Sequence, residues 1–106
     1  MKITLTFLIL LLTLNIQSQS LNDLEFGQDG SFEAISWNLE FFPKNNQTTI
    51  DSTALAIQQL NADVYALQEI DDLSALQALD NMLADYQSYV IPDDYNNLTL
   101  AYLVKK

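Results

Sequence analysis

Two apolar segments of strand character, each closing on polar side chains, flank a single helical stretch: Ile35-Ser36-Trp37-Asn38-Leu39-Glu40 and Asp63-Val64-Tyr65-Ala66-Leu67-Gln68-Glu69-Ile70. Strand, helix, strand in that order restricts the architecture. If the two strands share a sheet, the connection makes them parallel with a right-handed crossover, and both C-terminal ends fall on one rim. Asn38 and Glu69 then end near each other, on the rim where α/β sheets place their ligand sites.

The pattern extends to the rest of the chain. The first strand is expected over 32–39, with Phe32, Ala34 and Ser36 on one face and Ile35 and Trp37 on the other. Phe41-Phe42-Pro43 and the amide-rich Lys44-Asn45-Asn46-Gln47 read as a loop, because proline interrupts a strand and amides favour turns. A helix is predicted over 49–60, carrying an Ile50, Ala54, Ile57, Leu60 stripe, a capping-box-like Thr48/Asp51 pair and Asn61 as a left-handed stop. The second strand, 64–68, is apolar enough to be central. Asp71 or Asp72 can cap a second helix running to about residue 86, whose stripe is Leu76, Leu79, Leu83 and Tyr86. Residues 87–91 and 98–104 then read as an antiparallel pair joined by a turn over 92–97.

The N-terminus carries a different signal. After Lys2, residues 3–16 are apolar except for Thr4, Thr6, Thr13 and Asn15, a run short for a membrane span but suited to a secretory signal peptide. Ser18-Gln19-Ser20 offers the small-x-small cleavage pattern, so residues 1–20 are expected to be removed, with cleavage after Ser18 the alternative and a retained anchor the rarer outcome. Residues 21–31 form a polar lead-in, and 32–106 the folded part. Processing removes Lys2 and leaves Lys44, Lys105 and Lys106 against fourteen acidic residues. Such a surface repels a phosphate backbone and lacks the cations that release counterions, which argues against tight nucleic-acid binding by this segment. Stable membrane association of the processed chain is not expected, and nothing in the sequence sets an oligomeric state. The absence of cysteine leaves packing alone to hold a secreted chain, a composition that fits a bacterial periplasm or exterior.

On residue chemistry alone, Asn38 and Glu69 are hard oxygen donors of the kind magnesium or calcium accepts, but two donors do not complete a site. Polar punctuation at strand ends is the commoner explanation of such residues. The chain contains no histidine or cysteine, so neither a nucleophilic triad nor a histidine metal cluster can be assembled from it. The pairs Asp71-Asp72 and Asp93-Asp94 lack calcium-loop spacing and read as a cap and a turn.

The segment Phe32-Glu33-Ala34-Ile35-Ser36-Trp37-Asn38-Leu39-Glu40-Phe41-Phe42-Pro43, followed by Asp63-Val64-Tyr65-Ala66-Leu67-Gln68-Glu69-Ile70, resembles the opening of the endonuclease/exonuclease/phosphatase family, the DNase-I-like fold. Leu98-Thr99-Leu100-Ala101-Tyr102-Leu103-Val104-Lys105 is similar to that family's next strand. The resemblance implies the N-terminal portion of a four-layered α/β sandwich and hydrolysis of a phosphoester with a divalent cation, usually Mg2+, with Mn2+ or Ca2+ as alternatives. Glu69 matches the family's metal-binding glutamate, and Asn38 the asparagine that positions metal or phosphate. Gln68 is expected to brace its neighbours, and Glu40 to be a solvated charge or, less often, a support for the metal ligand. The family's later Asp-x-Asn and Asp-His pairs are not in this sequence, so the expectation is an N-terminal fragment of a secreted phosphoesterase or nuclease-type hydrolase, inactive alone. The alternative is a complete, small, acidic secreted α/β module that binds without catalysis.

Overall fold

The computed structural model describes residues 20–21, 24–91 and 98–106, so the apolar N-terminal run and the expected 92–97 turn lie outside the described residues. Six elements follow one another: β1 (Ala34–Phe42), α1 (Asn46–Leu60), β2 (Val64–Ile70), α2 (Leu73–Met82), β3 (Tyr86–Ile91) and β4 (Thr99–Lys105). They build one mixed sheet in the order β1-β2-β4-β3. β1 and β2 are parallel, in register from Ala34 opposite Val64 to Asn38 opposite Gln68. β4 runs antiparallel to both its neighbours, which makes the apolar β2 an interior strand, as its composition predicts.

Alternation along each strand decides which face is covered. Leu39, Tyr65, Leu67, Tyr86, Ala101 and Leu103 point to one face and are buried together with Ile50, Ala54 and Ile57 of α1 and Leu76 and Leu79 of α2. Both helices therefore lie on that face. The opposite face carries Ala34, Ser36 and Asn38 of β1 and the exposed Tyr89, Ile91, Leu100 and Tyr102 of β3 and β4. No helix among the described residues is long and apolar enough to cross a membrane.

Several boundaries differ from the sequence expectation. Phe41 and Phe42 belong to β1 rather than to a loop, and the loop shrinks to residues 43–45. Phe42 is fully buried, so its burial holds the strand together to that point, while Pro43 just beyond it removes only a donor the strand no longer needs. Phe32, expected in the strand, lies before it and is 76% exposed. Helix α1 starts at Asn46, ahead of the Thr48/Asp51 pair. The expected capping box does not form: Thr49 Oγ1 accepts the Asn45 N–H at 2.9 Å, and Asp51 accepts from the Gln47 amide at 2.7 Å. The C-terminal stop is as expected, with Asn61 at φ 51° and its N–H donated to Ile57 O at 2.9 Å.

Helix α2 is shorter than its stripe. Asp72 caps it, accepting the N–H groups of Ser74 and Ala75, and it closes at Met82. Leu83 and Tyr86 are still buried, but as turn and strand residues whose amides donate to Asp80 O and Leu83 O. Helical spacing of apolar residues thus continues past the helix because the turn keeps both side chains facing the same core.

Glu33 and Asp63 tie the lead-in to the sheet. The Asp63 carboxylate accepts the Glu33 N–H at 2.8 Å, and Glu33 O accepts the amides of Asp63 and Val64. Glu33 Oε1 in turn accepts from Gln28 N at 2.6 Å and Ser31 Oγ at 3.0 Å. Gly27, at φ 83°, lies so close to that carboxylate that a Cβ there would collide with it.

Candidate active site at the sheet rim

Strict alternation would bury Glu69. Tyr65 and Leu67 face the helices, so an uninterrupted strand would send residue 69 the same way and residue 70 outward. The reverse is found: Ile70 is 1% exposed in the core, and Glu69 stands beside Asn38. The cause is local, since Glu69 occupies the left-handed region at φ 59° and the β2–β4 register breaks between Leu67 and Ile70. One left-handed residue in a strand changes which face the following residues occupy.

β1 buckles at the same level. Glu40 and Phe41 are left-handed at φ 50° and 58°, and the parallel register with β2 is interrupted between Asn38 and Phe42. The two successive turns put Phe41 in solvent, 55% exposed, and return Phe42 to the core. Three of the described non-glycine residues with positive φ therefore gather at this rim, each costing about 1–3 kcal/mol. Packing of Phe42 and Ile70 holds them there, together with Phe42 O, which accepts the Asp71 and Asp72 amides at 2.9 and 3.1 Å.

The two buckled strand ends are joined through Asn38. Its Nδ2 donates to Glu69 Oε1 at 2.8 Å, and its Oδ1 accepts the Glu40 N–H at 2.8 Å. The partners fix the amide orientation, because a backbone N–H only donates and a carboxylate only accepts. Behind this pair Gln68 braces the outer face as expected: its Nε2 donates to Ser36 Oγ at 3.2 Å and to Ala66 O at 2.8 Å. The Glu40 carboxylate pairs with Lys44 Nζ at 2.6 Å, both side chains being more than half exposed. Glu40 thus meets Asn38 through its backbone amide. The left-handed turns that aim that amide leave no pattern in the sequence.

Asn38 and Glu69, the two residues singled out from sequence, are therefore in direct contact on one rim. Among the described residues no group of three or more Asp, Glu, His or Cys gathers to enclose a metal. Magnesium characteristically takes one or two carboxylates and completes its shell with water and substrate phosphate. One carboxylate with a hydrogen-bonded carboxamide beside it fits one side of such a site. The lead-in forms a concavity at the other end of the strands, bordered by Phe26, Glu33 and Asn61.

No protein-family model and no curated protein matches this chain. Among solved structures it is similar to TDP2 from C. elegans, with a TM-score of 0.56 and 25% sequence identity over 71% of this chain and 23% of that one. The chain therefore spans under a quarter of the length of that protein. The mixed four-stranded sheet with its two helices matches part of a DNase-I-like fold.

Proposed function

We propose that this chain is the N-terminal part of a secreted, divalent-metal-dependent phosphoesterase of the endonuclease/exonuclease/phosphatase type. The observation that carries the reading is the 2.8 Å hydrogen bond between Asn38 Nδ2 and Glu69 Oε1 on the shared rim, within a fold that matches part of a DNase-I-like domain. Secretion is proposed from the apolar run over residues 3–16 and the Ser18-Gln19-Ser20 pattern.

Each residue has a distinct task. Glu69 is the side chain that would hold Mg2+ or Mn2+, with the Asn38 carboxamide hydrogen-bonded beside it to position the metal or the phosphate. A bound metal supplies charge neutralisation at the phosphate during in-line attack by water. Asn38 holds the Glu69 carboxylate in one orientation, and the Glu40 amide in turn holds Asn38. Gln68 and Ser36 keep the two strands in register behind them. The substrate is a phosphoester, and the acidity of this segment disfavours a nucleic-acid backbone unless another part of the protein supplies cations. With no histidine to handle the proton of the attacking water, the chain alone is proposed to be inactive.

Titration of the full chain with Mn2+, followed through solvent-proton relaxation, is expected to show binding that Glu69→Gln removes. Equal binding by both proteins would overturn the metal assignment and favour a non-catalytic module. No turnover of a chromogenic phosphodiester by the chain alone is expected, and activity that survives removal of contaminating nucleases would refute the inactive-alone reading. Sequencing of the N-terminus after bacterial export should begin at Leu21, or at Gln19 for cleavage after Ser18.

A further inference from the structure

In the sheet order, β3 has β4 on one side and, among the described residues, no strand on the other. Its sequence, Tyr86-Gln87-Ser88-Tyr89-Val90-Ile91, contains neither charge nor proline, the features that usually discourage strand addition at an open edge. Hydrogen-bonding directions alternate along an antiparallel strand. Lys106 N donates to Asp85 O at 2.9 Å, which turns residue 85, and with it 87, 89 and 91, toward β4. The amides of Tyr86, Ser88 and Val90 therefore face the open side.

Two of these three outward amides are already engaged by the chain itself. Tyr86 N donates to Leu83 O at 2.9 Å, within the turn that ends α2. Ser88 N donates to Asp80 Oδ1 at 2.8 Å, a part-buried contact that reaches from the helix around the sheet edge. We propose that Asp80 is an edge guard: its carboxylate occupies the slot at Ser88 through which the β3 strand of a second copy would add. The occupant follows from the sequence of the edge. Antiparallel pairing of β3 with itself about Ser88 is two-fold symmetric, joins two uncharged strands, and sets Asp85 opposite Ile91 of the second copy rather than opposite another carboxylate. The proposal stands apart from the reading of the rim, since Asp80 and Ser88 belong to a different edge.

Sedimentation velocity of the full chain, Asp80→Ala and Asp80→Asn tests it. Asp80→Ala is expected to self-associate at a roughly tenfold lower concentration than the parent, because the freed Ser88 N–H seeks a new acceptor. Asp80→Asn keeps an acceptor oxygen and should match the parent. Adding Ser88→Pro to Asp80→Ala removes that donor and should restore the parent's behaviour. A folded Asp80→Ala that associates no more than the parent overturns the proposal, as does association that Ser88→Pro leaves untouched. Hydrogen exchange on the parent chain needs no variant: the Ser88 amide is expected to exchange far more slowly than that of Val90, and equal rates overturn the guard as well.

Discussion

Phe42 and Ile70 face each other as buried parallel partners, although three residues separate Phe42 from the preceding pair, Asn38–Gln68, and only Glu69 separates Ile70 from it. The two strands lose register at the rim and regain it immediately afterwards. Everything that distinguishes the candidate site lies inside that interruption: Asn38 at its start, Glu40 and Phe41 in left-handed conformation on one strand, and Glu69 on the other. The core on the far side makes the interruption obligatory, since relaxing any of these residues to an extended conformation would lift Phe42 or Ile70 out of its packing.

Backbone and side chain can be separated at Glu69. Because its φ is 59°, Glu69→Gly removes the carboxylate while easing the left-handed turn, and stability should change little. Glu69→Val places a β-branched residue in the same conformation and should cost about 1–3 kcal/mol. Urea denaturation of the two variants measures the difference. Equal stabilities would mean that the turn relaxes freely and that the rim stores no strain.

Replacing the amide tests the site's charge logic. Asn38→Asp sets a second carboxylate at hydrogen-bond distance from Glu69 Oε1, turning a 2.8 Å attraction into a like-charge contact. The variant should be less stable than the parent without divalent cation and regain stability as Mg2+ is added, because two carboxylates make the stronger magnesium site. A thermal melt across a magnesium series reads this directly. A loss that magnesium fails to offset would argue against a metal site at this pair, because the substituted carboxylate still accepts the Glu40 N–H and leaves the backbone turn in place.

The parallel pairing and the meeting of Asn38 with Glu69 were legible in the sequence for a simple reason. Handedness and alternation act over whole elements, so the order strand, helix, strand already brings residues 38 and 69 to one rim. The rim's detail was not legible. Glu40, Phe41 and Glu69 are not residue types that announce a left-handed turn; what holds them is the burial of Phe42 and Ile70, a tertiary effect. The same effect overrides local chemistry at Phe41-Phe42-Pro43, where proline favours a loop and the buried Phe42 keeps the strand. In α2 the reverse occurred: the Leu83 and Tyr86 spacing is genuine burial, but the turn over residues 83–85 carries it, not the helix.

The two helix starts make contrasting predictions. Asp72 accepts the Ser74 amide at 2.7 Å and the Ala75 amide at 3.3 Å, so Asp72→Ala should destabilise the fold by about 1 kcal/mol. Asn45 makes no side-chain bond at the start of α1, and Asn45→Ala should be close to neutral. Chemical denaturation of both variants under one set of conditions decides the matter. A cost at Asn45 equal to that at Asp72 would contradict the observed caps.

The buried tyrosines predict how the protein loses stability in alkali. Tyr65 accepts the Ala62 N–H at 3.0 Å and donates to Ile57 O at 2.9 Å, while Tyr86 donates to Ala62 O at 2.8 Å, so both hydroxyls close the segment between α1 and β2. Burial pushes both phenols above their ordinary range, with the neighbouring ring and nearby carboxylates adding to the effect at Tyr86. In the unfolded chain each titrates near pH 10. Below that pH the phenols are neutral in both states and their contribution to stability is complete. Above it the unfolded chain releases protons that the folded chain retains, so stability falls as pH rises, by about 1.4 kcal/mol per pH unit for each tyrosine. Tyr86→Phe should lose about 1–2 kcal/mol near neutrality, because the Ala62 carbonyl is left without its donor. The same variant should also lose about half of the alkaline slope. Urea midpoints measured between neutrality and strong alkali give both quantities from one series, and a slope that persists in Tyr65→Phe/Tyr86→Phe would assign the alkaline transition to groups outside this pair.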